Sequence, residues 1–194
     1  MMVLITKIRK QSKKILQPIA LALIKINVSA NTITFVGLIL SFLYLAIMYF
    51  LKDIIIGLIL LALSAFMDAI DGEVARLSNK AGSKGSFLDS SLDRIEDINY
   101  ISGLFSLGFT PLLIGLLIGV SVTISYLRAK AESLGIKMEG RGIIERGERI
   151  MFLVILLLLY LLSFTISYYF FLIFLILSII TVIQRFIAVY SSLP

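Results

Sequence analysis

No cysteine and no histidine occur among the 194 residues. Their absence excludes thiol nucleophiles, imidazole bases and zinc sites built from thiolate or imidazole. A metal ion here would have to be held by oxygen, which favours hard ions such as Mg²⁺, Mn²⁺ or Ca²⁺. Without cysteine there is no disulfide, and the chain says nothing of its redox compartment. Charge is scarce as well. Only 15% of residues are charged against 59% hydrophobic, whereas a soluble domain runs at about a quarter charged and about half apolar. The N-terminus has no short apolar core with a small-residue cleavage site, so no cleaved signal peptide is expected.

What is plentiful is apolar sequence in long runs. Spans are expected at about 32–51, 54–76, 87–108, 110–133, 146–164 and 167–190, each near the ~20 residues that cross a bilayer as a helix. Lys52-Asp53, a basic loop at 77–86 flanked by Gly82 and Gly85, the Gly108 to Pro111 region, a polar segment at 133–145 and a turn from Ser163 to Ser167 separate them. The fold class is therefore an all-α integral membrane protein. Residues 29–194 form one domain of six transmembrane helices, and residues 1–28 an interfacial amphipathic helix. In that first segment Lys7, Arg9, Lys10, Lys13 and Lys14 alternate with Ile5, Ile8, Ile15 and Leu16, a mixture suited to anionic lipid. Pro18 is expected to bend or restart it. Ser29, Asn31 and Thr32 offer N-cap chemistry before the first span.

The net charge of +6 does not point to nucleic acid, because the basic residues gather at span ends. With the N-terminus cytoplasmic, six spans place every Lys and Arg except Lys52 at or near the cytoplasmic side. The expected location is the cell membrane, multi-pass, with both termini cytoplasmic, on the side where these charged span ends lie.

Into this apolar chain the stretch DAIDGEVARLSNKAGSKGSFLDSSLD, residues 68–93, brings four aspartates. Asp68 and Asp71 are three apart, Asp89 and Asp93 four apart, so each pair shares a helix face. An antiparallel return brings the pairs together. Four carboxylates in a low-dielectric site repel unless cations neutralise them, and two divalent ions roughly 3.5–4 Å apart would do so in a manner used for phosphoryl chemistry. Gly72 and Ala75 leave room beside the carboxylates for a flat ligand, and Arg76 supplies a planar cation for phosphate oxygens. Ionisable groups in membrane spans are costly and functional by default, which outweighs ordinary helix-end charge. EF-hand spacing is absent. A cation transporter could also bury carboxylates, but it usually shows inverted repeats or broken mid-membrane helices, and here they cluster at one end.

Asp68, Asp71, Gly72, Ala75, Arg76, Gly85, Asp89 and Asp93 stand at the eight fixed positions, over 26 residues, of a known signature. On these residues the sequence resembles the CDP-alcohol phosphotransferases. The resemblance implies a six-helix, usually homodimeric membrane enzyme that uses two divalent ions, Mg²⁺ or Mn²⁺. It would move a substituted phosphate from a CDP-linked lipid donor to an alcohol and release CMP. By position, Asp68, Asp71, Asp89 and Asp93 would hold the metals, Asp93 also acting as general base. Gly72, Ala75, Arg76 and Gly85 would receive the donor's nucleotide and phosphates. Asn31 and Thr34 sit where the family carries an Asn-x-x-Thr segment, with Ala30 in place of its usual proline.

A second polar cluster, SYLRAKAESLGIKMEGRGIIERGER, covers residues 125–149. Arg128 and Lys130 close the fourth span, Arg146 and Arg149 open the fifth, and Arg185 lies inside the last. Anchoring by the positive-inside rule does not require arginines on three helix ends, and an intramembrane Arg185 needs a partner. As a set they read as a pocket for the acceptor's phosphate. The stretch is similar to the inositol-phosphate branch of the family, which uses 1D-myo-inositol 3-phosphate as acceptor. Ile- and Lys-rich composition leans towards an archaeal lipid, hence CDP-archaeol as donor. CDP-diacylglycerol as donor, or glycerol 3-phosphate as acceptor, is the alternative within the same chemistry.

Overall fold

The computed structural model describes residues 16–78, 82–138 and 140–193. The basic residues expected in an interfacial helix, Lys7 to Lys14, lie outside the described residues. From Leu16 the chain is helical (α1, Leu16–Lys25), with Pro18 in the first described turn. The apolar side of α1 packs down: Ala20 is buried with Ile33, Ile70 and Val74. Asn27, with φ 59°, turns the chain in the left-handed region that asparagine tolerates. Ser29 then caps α2 (Ala30–Ala46) by accepting from the Thr32 amide at 3.1 Å.

The helix continues as a π-helical stretch, Ile47–Leu51, and stops at Lys52, whose φ is 54°. Asp53 caps α3 (Ile54–Leu77), accepting from the Ile55 and Ile56 amides at 3.0 Å. Next come α4 (Ser83–Ser102), a 3₁₀ stretch Gly103–Leu107, and α5 (Pro111–Ser133) with proline at its first turn. Proline suits that place because its missing N–H would be unpaired there anyway. A loop leads to α6 (Arg146–Leu162), opened by a reciprocal Glu145/Glu148 capping box. The last helix, α7, is Phe164–Tyr190.

Two boundaries differ from the sequence expectation. Helix α4 starts at Ser83, so Gly85 is helical and only Gly82, extended at φ −151°, precedes the helix. The last turn is Ser163 alone, which ends α6 and begins α7. Ser167 lies inside α7 and its Oγ donates to the Leu156 carbonyl at 2.8 Å, clamping the hairpin.

Among the described residues, four helical stretches are long and apolar enough to cross a membrane: Ala30–Leu51, Ile54–Leu77, Pro111–Ser133 and Phe164–Tyr190. The two other expected spans are also helices but fall short in different ways. Helix α4 carries Lys84, Asp89, Asp93, Arg94, Glu96 and Asp97, and α6 has 17 residues. Helix α2 packs on α3 and α4, α7 on α5 and α6, while α4–α5 and α3–α6 contacts join the groups. The main core lies around Tyr44, Leu61, Tyr100, Leu104, Leu156 and Phe171. Outer faces show Phe35, Ile39, Ile55, Ile59, Ile173 and Ile176, as lipid-facing surfaces do.

Directly beside this core a hydrogen-bonded chain joins α2, α3 and α4. Tyr100 Oη donates to Ser64 Oγ at 2.6 Å, and Ser64 Oγ donates to the Gly37 carbonyl at 2.6 Å. Tyr44 Oη donates to the Tyr100 carbonyl at 2.9 Å, and Asn99 Nδ2 to Ser41 Oγ at 3.0 Å. In lipid such bonds contribute about 0.6–2 kcal/mol each. They fix the three helices at the level where charged residues begin.

Candidate active site

Helix α3 places Leu61 in the core and, two turns on, Asp68 and Asp71 at the edge of the bundle. The antiparallel α4 sets Asp89, Asp93, Glu96 and Asp97 along its own length at three- and four-residue spacing. Where the two helices meet, Asp68, Asp93 and Glu96 each offer an oxygen, all within 4.8 Å of one another. Asp71 and Asp89 lie on the open side, where both line a cleft, and Asp89 is within electrostatic reach of Asp68 and Asp71. All four aspartates of the sequence motif thus converge.

Helix α2 closes the third side. Thr34 Oγ1 donates to Asp71 Oδ2 at 2.5 Å. A Cβ at Gly37 would stand 3.2 Å from Glu96 Oε1 and 3.4 Å from Asp68 Oδ1, so glycine lets the α2 backbone lie against the carboxylates.

Arg146, at the first turn of α6, enters the same space. Its Nη2 is 2.6 Å from Asp68 Oδ2 and 2.8 Å from Glu96 Oε2, its Nη1 3.0 Å from Asp93 Oδ1, and its Nε 3.4 Å from Asp97 Oδ1. Only the Glu96 contact has hydrogen-bond geometry. Both Asp68 oxygens, Asp93 Oδ1 and Glu96 Oε1 are buried without a hydrogen-bond partner among the described residues. Ion-pair proximity to one guanidinium therefore leaves much of the acceptor capacity unused. An all-oxygen donor set with buried, unpaired oxygens fits a hard divalent ion, across whose shell ligands stand up to about 4–5 Å apart.

The cleft beside the carboxylates has a volume of about 600 Å³, and Asn31, Thr34, Gly72, Ala75, Arg76 and Gly85 line it with Asp71 and Asp89. That is a size suited to a small-molecule ligand. Nothing lies within 4 Å of where a Gly72 side chain would begin, while Gly85 faces Asn31 Oδ1 across the cleft. Asn31 is thus a lining residue, and the N-cap role belongs to Ser29. Arg76 is half exposed, its Nη2 2.5 Å from Glu73 and its Nε donating to the Gly72 carbonyl at 3.1 Å.

The remaining basic residues sit behind Arg146. Arg149 is buried against Asp97 at 2.6 Å, with Ser125 Oγ at 3.4 Å. Arg185 Nη1 donates to the Ile124 carbonyl and its Nε to the Arg141 carbonyl, both at 2.9 Å, with Glu145 at 3.5 Å. It therefore ties α7 to α5 and to the loop that delivers Arg146. Arg128 pairs with Glu132 at 2.9 Å and lies within electrostatic reach of Arg185. Lys130 is exposed near the end of α5.

Glu96 and Asp97 were not singled out from sequence. Their signal was legible: the three- and four-residue spacing of Asp89 and Asp93 continues through both.

A family model described as CDP-alcohol phosphatidyltransferase matches residues 27–190. An archaetidylinositol phosphate synthase of Aeropyrum pernix is 40% identical over 137 residues, 71% of either chain. One of Pyrococcus horikoshii is 35% identical over 184 residues, 94% of either chain. A phosphatidylinositol phosphate synthase of Mycobacterium tuberculosis, solved with CDP-DAG bound, superposes with a TM-score of 0.81 at 24% identity, covering 92% of this chain and 94% of that one. The same mycobacterial protein has been solved with manganese and citrate, with a TM-score of 0.80 at 23% identity and coverage of 91% and 89%. These two likenesses are in fold.

Proposed function

The chain belongs to the CDP-alcohol phosphatidyltransferase family and is a phosphotransferase, and on that premise we propose that it transfers the lipid phosphate of CDP-archaeol to 1D-myo-inositol 3-phosphate. The products are archaetidylinositol phosphate and CMP. The observation that carries this is the meeting of four motif aspartates, Asp68 and Asp93 with buried unpaired oxygens, beside a ligand-sized cleft lined by the rest of the motif. The names of the two archaeal relatives support the donor and the acceptor.

In this reading Asp68, Asp71, Asp89 and Asp93 hold two divalent ions, Mg²⁺ or Mn²⁺. Bound there, the ions supply charge stabilisation at the diphosphate. The chain's own residues do the rest. The gap at Gly72 and Ala75 admits the cytidine, with Asn31, Thr34 and Gly85 lining the cleft around it. Arg76, on its exposed helix end, binds the donor's phosphates. Arg146, with Arg128, Lys130, Arg149 and Arg185 behind or beside it, receives the acceptor's phosphate.

Asp93 accepts the proton of the acceptor hydroxyl as its oxygen bonds to the lipid-bearing phosphorus. The bond from that phosphorus to the bridging oxygen breaks, and the electron pair leaves on CMP. Holding the reactants in line accounts for much of the rate, because it turns an encounter into a unimolecular step.

The enzyme is read as a homodimer with six crossings, a single domain over residues 29–194 and a cytoplasmic site, where a donor from the bilayer meets a soluble alcohol. The basic residues at the site's end of the bundle favour that orientation. CMP release by purified protein given CDP-archaeol and Mg²⁺ tests the reading. Release should require 1D-myo-inositol 3-phosphate and stop on chelation; release with glycerol 3-phosphate instead would sink the acceptor assignment.

A further inference from the structure

We propose that Arg146 is a metal-gated anion receptor with Glu96 as its fixed seat. Without a divalent ion its guanidinium is held by Asp68, Asp93 and Glu96. The ion takes Asp68 and Asp93, and only then is a guanidinium edge free for the acceptor's phosphate. This rests on the reading that those two aspartates bind metal and that the acceptor is anionic.

Three observations carry it. The first is shared ligation: Arg146 contacts Asp68 at 2.6 Å and Asp93 at 3.0 Å, two of the four metal-motif carboxylates. A guanidinium and a divalent ion placed on the same oxygens repel, so occupancy by one must displace the other.

The second is what cannot be displaced. Glu96 is 0% exposed, its Oε2 accepts from Arg146 Nη2 at 2.8 Å, and its other polar neighbours are the Asp68 carboxyl and Tyr100 Oη at 3.4 Å. Removing the guanidinium entirely would strip this buried carboxyl of its 2.8 Å donor, which is unfavourable. Arg146 therefore keeps Glu96 and Asp97 and gives up Asp68 and Asp93.

The third is rigidity. The Glu145/Glu148 capping box fixes the first turn of α6, so the exchange is a side-chain rotation about Glu96 and not a helix movement. The edge released from Asp93 presents parallel N–H donors, the fork that matches a phosphate oxyanion. Glu96 acts through Arg146 and is a positioning residue. A site without metal thus keeps its receptor occupied internally and does not collect phosphorylated alcohols it cannot use.

The test uses the full-length protein in detergent, without lipid donor. Mn²⁺ binding is read from the electron paramagnetic resonance of the free ion. Arg146→Lys keeps the charge but loses the fork, and it should bind Mn²⁺ about tenfold more tightly than wild type. Calorimetric titration with 1D-myo-inositol 3-phosphate should show at least about tenfold tighter binding to wild type with Mn²⁺ than without, and a much smaller gain in Glu96→Gln. Unchanged or weaker Mn²⁺ affinity in Arg146→Lys would overturn the proposal whether or not Glu96→Gln folds. So would a metal dependence of equal size in Glu96→Gln, which would assign the effect to the ion's own charge. Wild type that binds no Mn²⁺, or binding unaffected by Asp68→Asn, would instead remove the underlying metal assignment, and the gating with it.

Discussion

Thr34 Oγ1 donates to Asp71 Oδ2 at 2.5 Å, so α2 holds a carboxylate of α3 from across the bundle. The Ala30 carbonyl, one turn back, lies 3.0 Å from the same hydroxyl, which faces Asp71 and its own helix at once. A residue of the Asn-x-x-Thr segment thereby orients an aspartate of the metal motif. A hydrogen bond to a charged group contributes about 1.5–3 kcal/mol. Thr34→Val should therefore lower kcat/KM about ten- to a hundredfold with the fold intact, and Thr34→Ser should recover most of it. Equal losses in both variants would mean that packing, and not the hydroxyl, matters there.

Asp93 is the proposed base, and amide replacement removes its proton affinity at nearly constant shape. Asp93→Asn should reduce turnover about 10²–10⁴-fold. Binding of the CDP-linked donor, measured by equilibrium dialysis with labelled donor, should remain. Turnover near the wild-type rate would remove the assignment.

Gly72 separates folding from binding. Nothing lies within 4 Å of its would-be Cβ, yet it lines the cleft. Gly72→Leu should leave Tm unchanged or slightly raised, since glycine inside a helix costs about 0.5–1 kcal/mol relative to alanine. The same variant should raise the donor KM at least about tenfold, because the side chain occupies the nucleotide's space. A donor KM equal to wild type would show that the cytidine lies elsewhere.

Arg185 and Gly142 form one joint. Gly142 has φ 107°, and a Cβ there would stand 2.7 Å from Thr181 Cγ2 and 3.3 Å from Arg185 Nε. Arg185→Ala leaves two carbonyls without their donor, a loss of about 2–4 kcal/mol. Thermal unfolding should shift down, and the acceptor KM should rise with it, because this joint holds the loop that delivers Arg146. Gly142→Ala should reproduce both effects. A raised acceptor KM at unchanged Tm in Arg185→Ala would mean direct phosphate contact without a clamping role.

Much of the fold was legible because the features that specify it are local. Asp53 and Pro111 mark helix starts by cap and ring chemistry that acts within a few residues. The aspartates were legible for the same reason, since carboxylates three and four apart on a helix must share a face. The full partnership of Arg146 was not. Its partners Asp68, Glu96 and Asp97 are 50 or so positions away and more, and only the crossing of α6 over α3 and α4 brings them together. Arg185 is a similar case. Its place inside an apolar span marks it as a cation in need of a partner, but its partners include two backbone carbonyls, which no side-chain pattern announces. The early start of α4 at Ser83 was missed because Gly82 and Gly85 read as loop residues, whereas Gly85 is helical and faces the cleft.

The most direct measurement is the mass of the lipid made by purified protein from CDP-archaeol and Mg²⁺ when 1D-myo-inositol 3-phosphate and glycerol 3-phosphate are offered together. A lipid carrying inositol phosphate, formed with stoichiometric CMP and abolished by chelation, is the predicted result. A lipid carrying glycerol phosphate, or inositol lipid formed undiminished without divalent ion, would contradict the account.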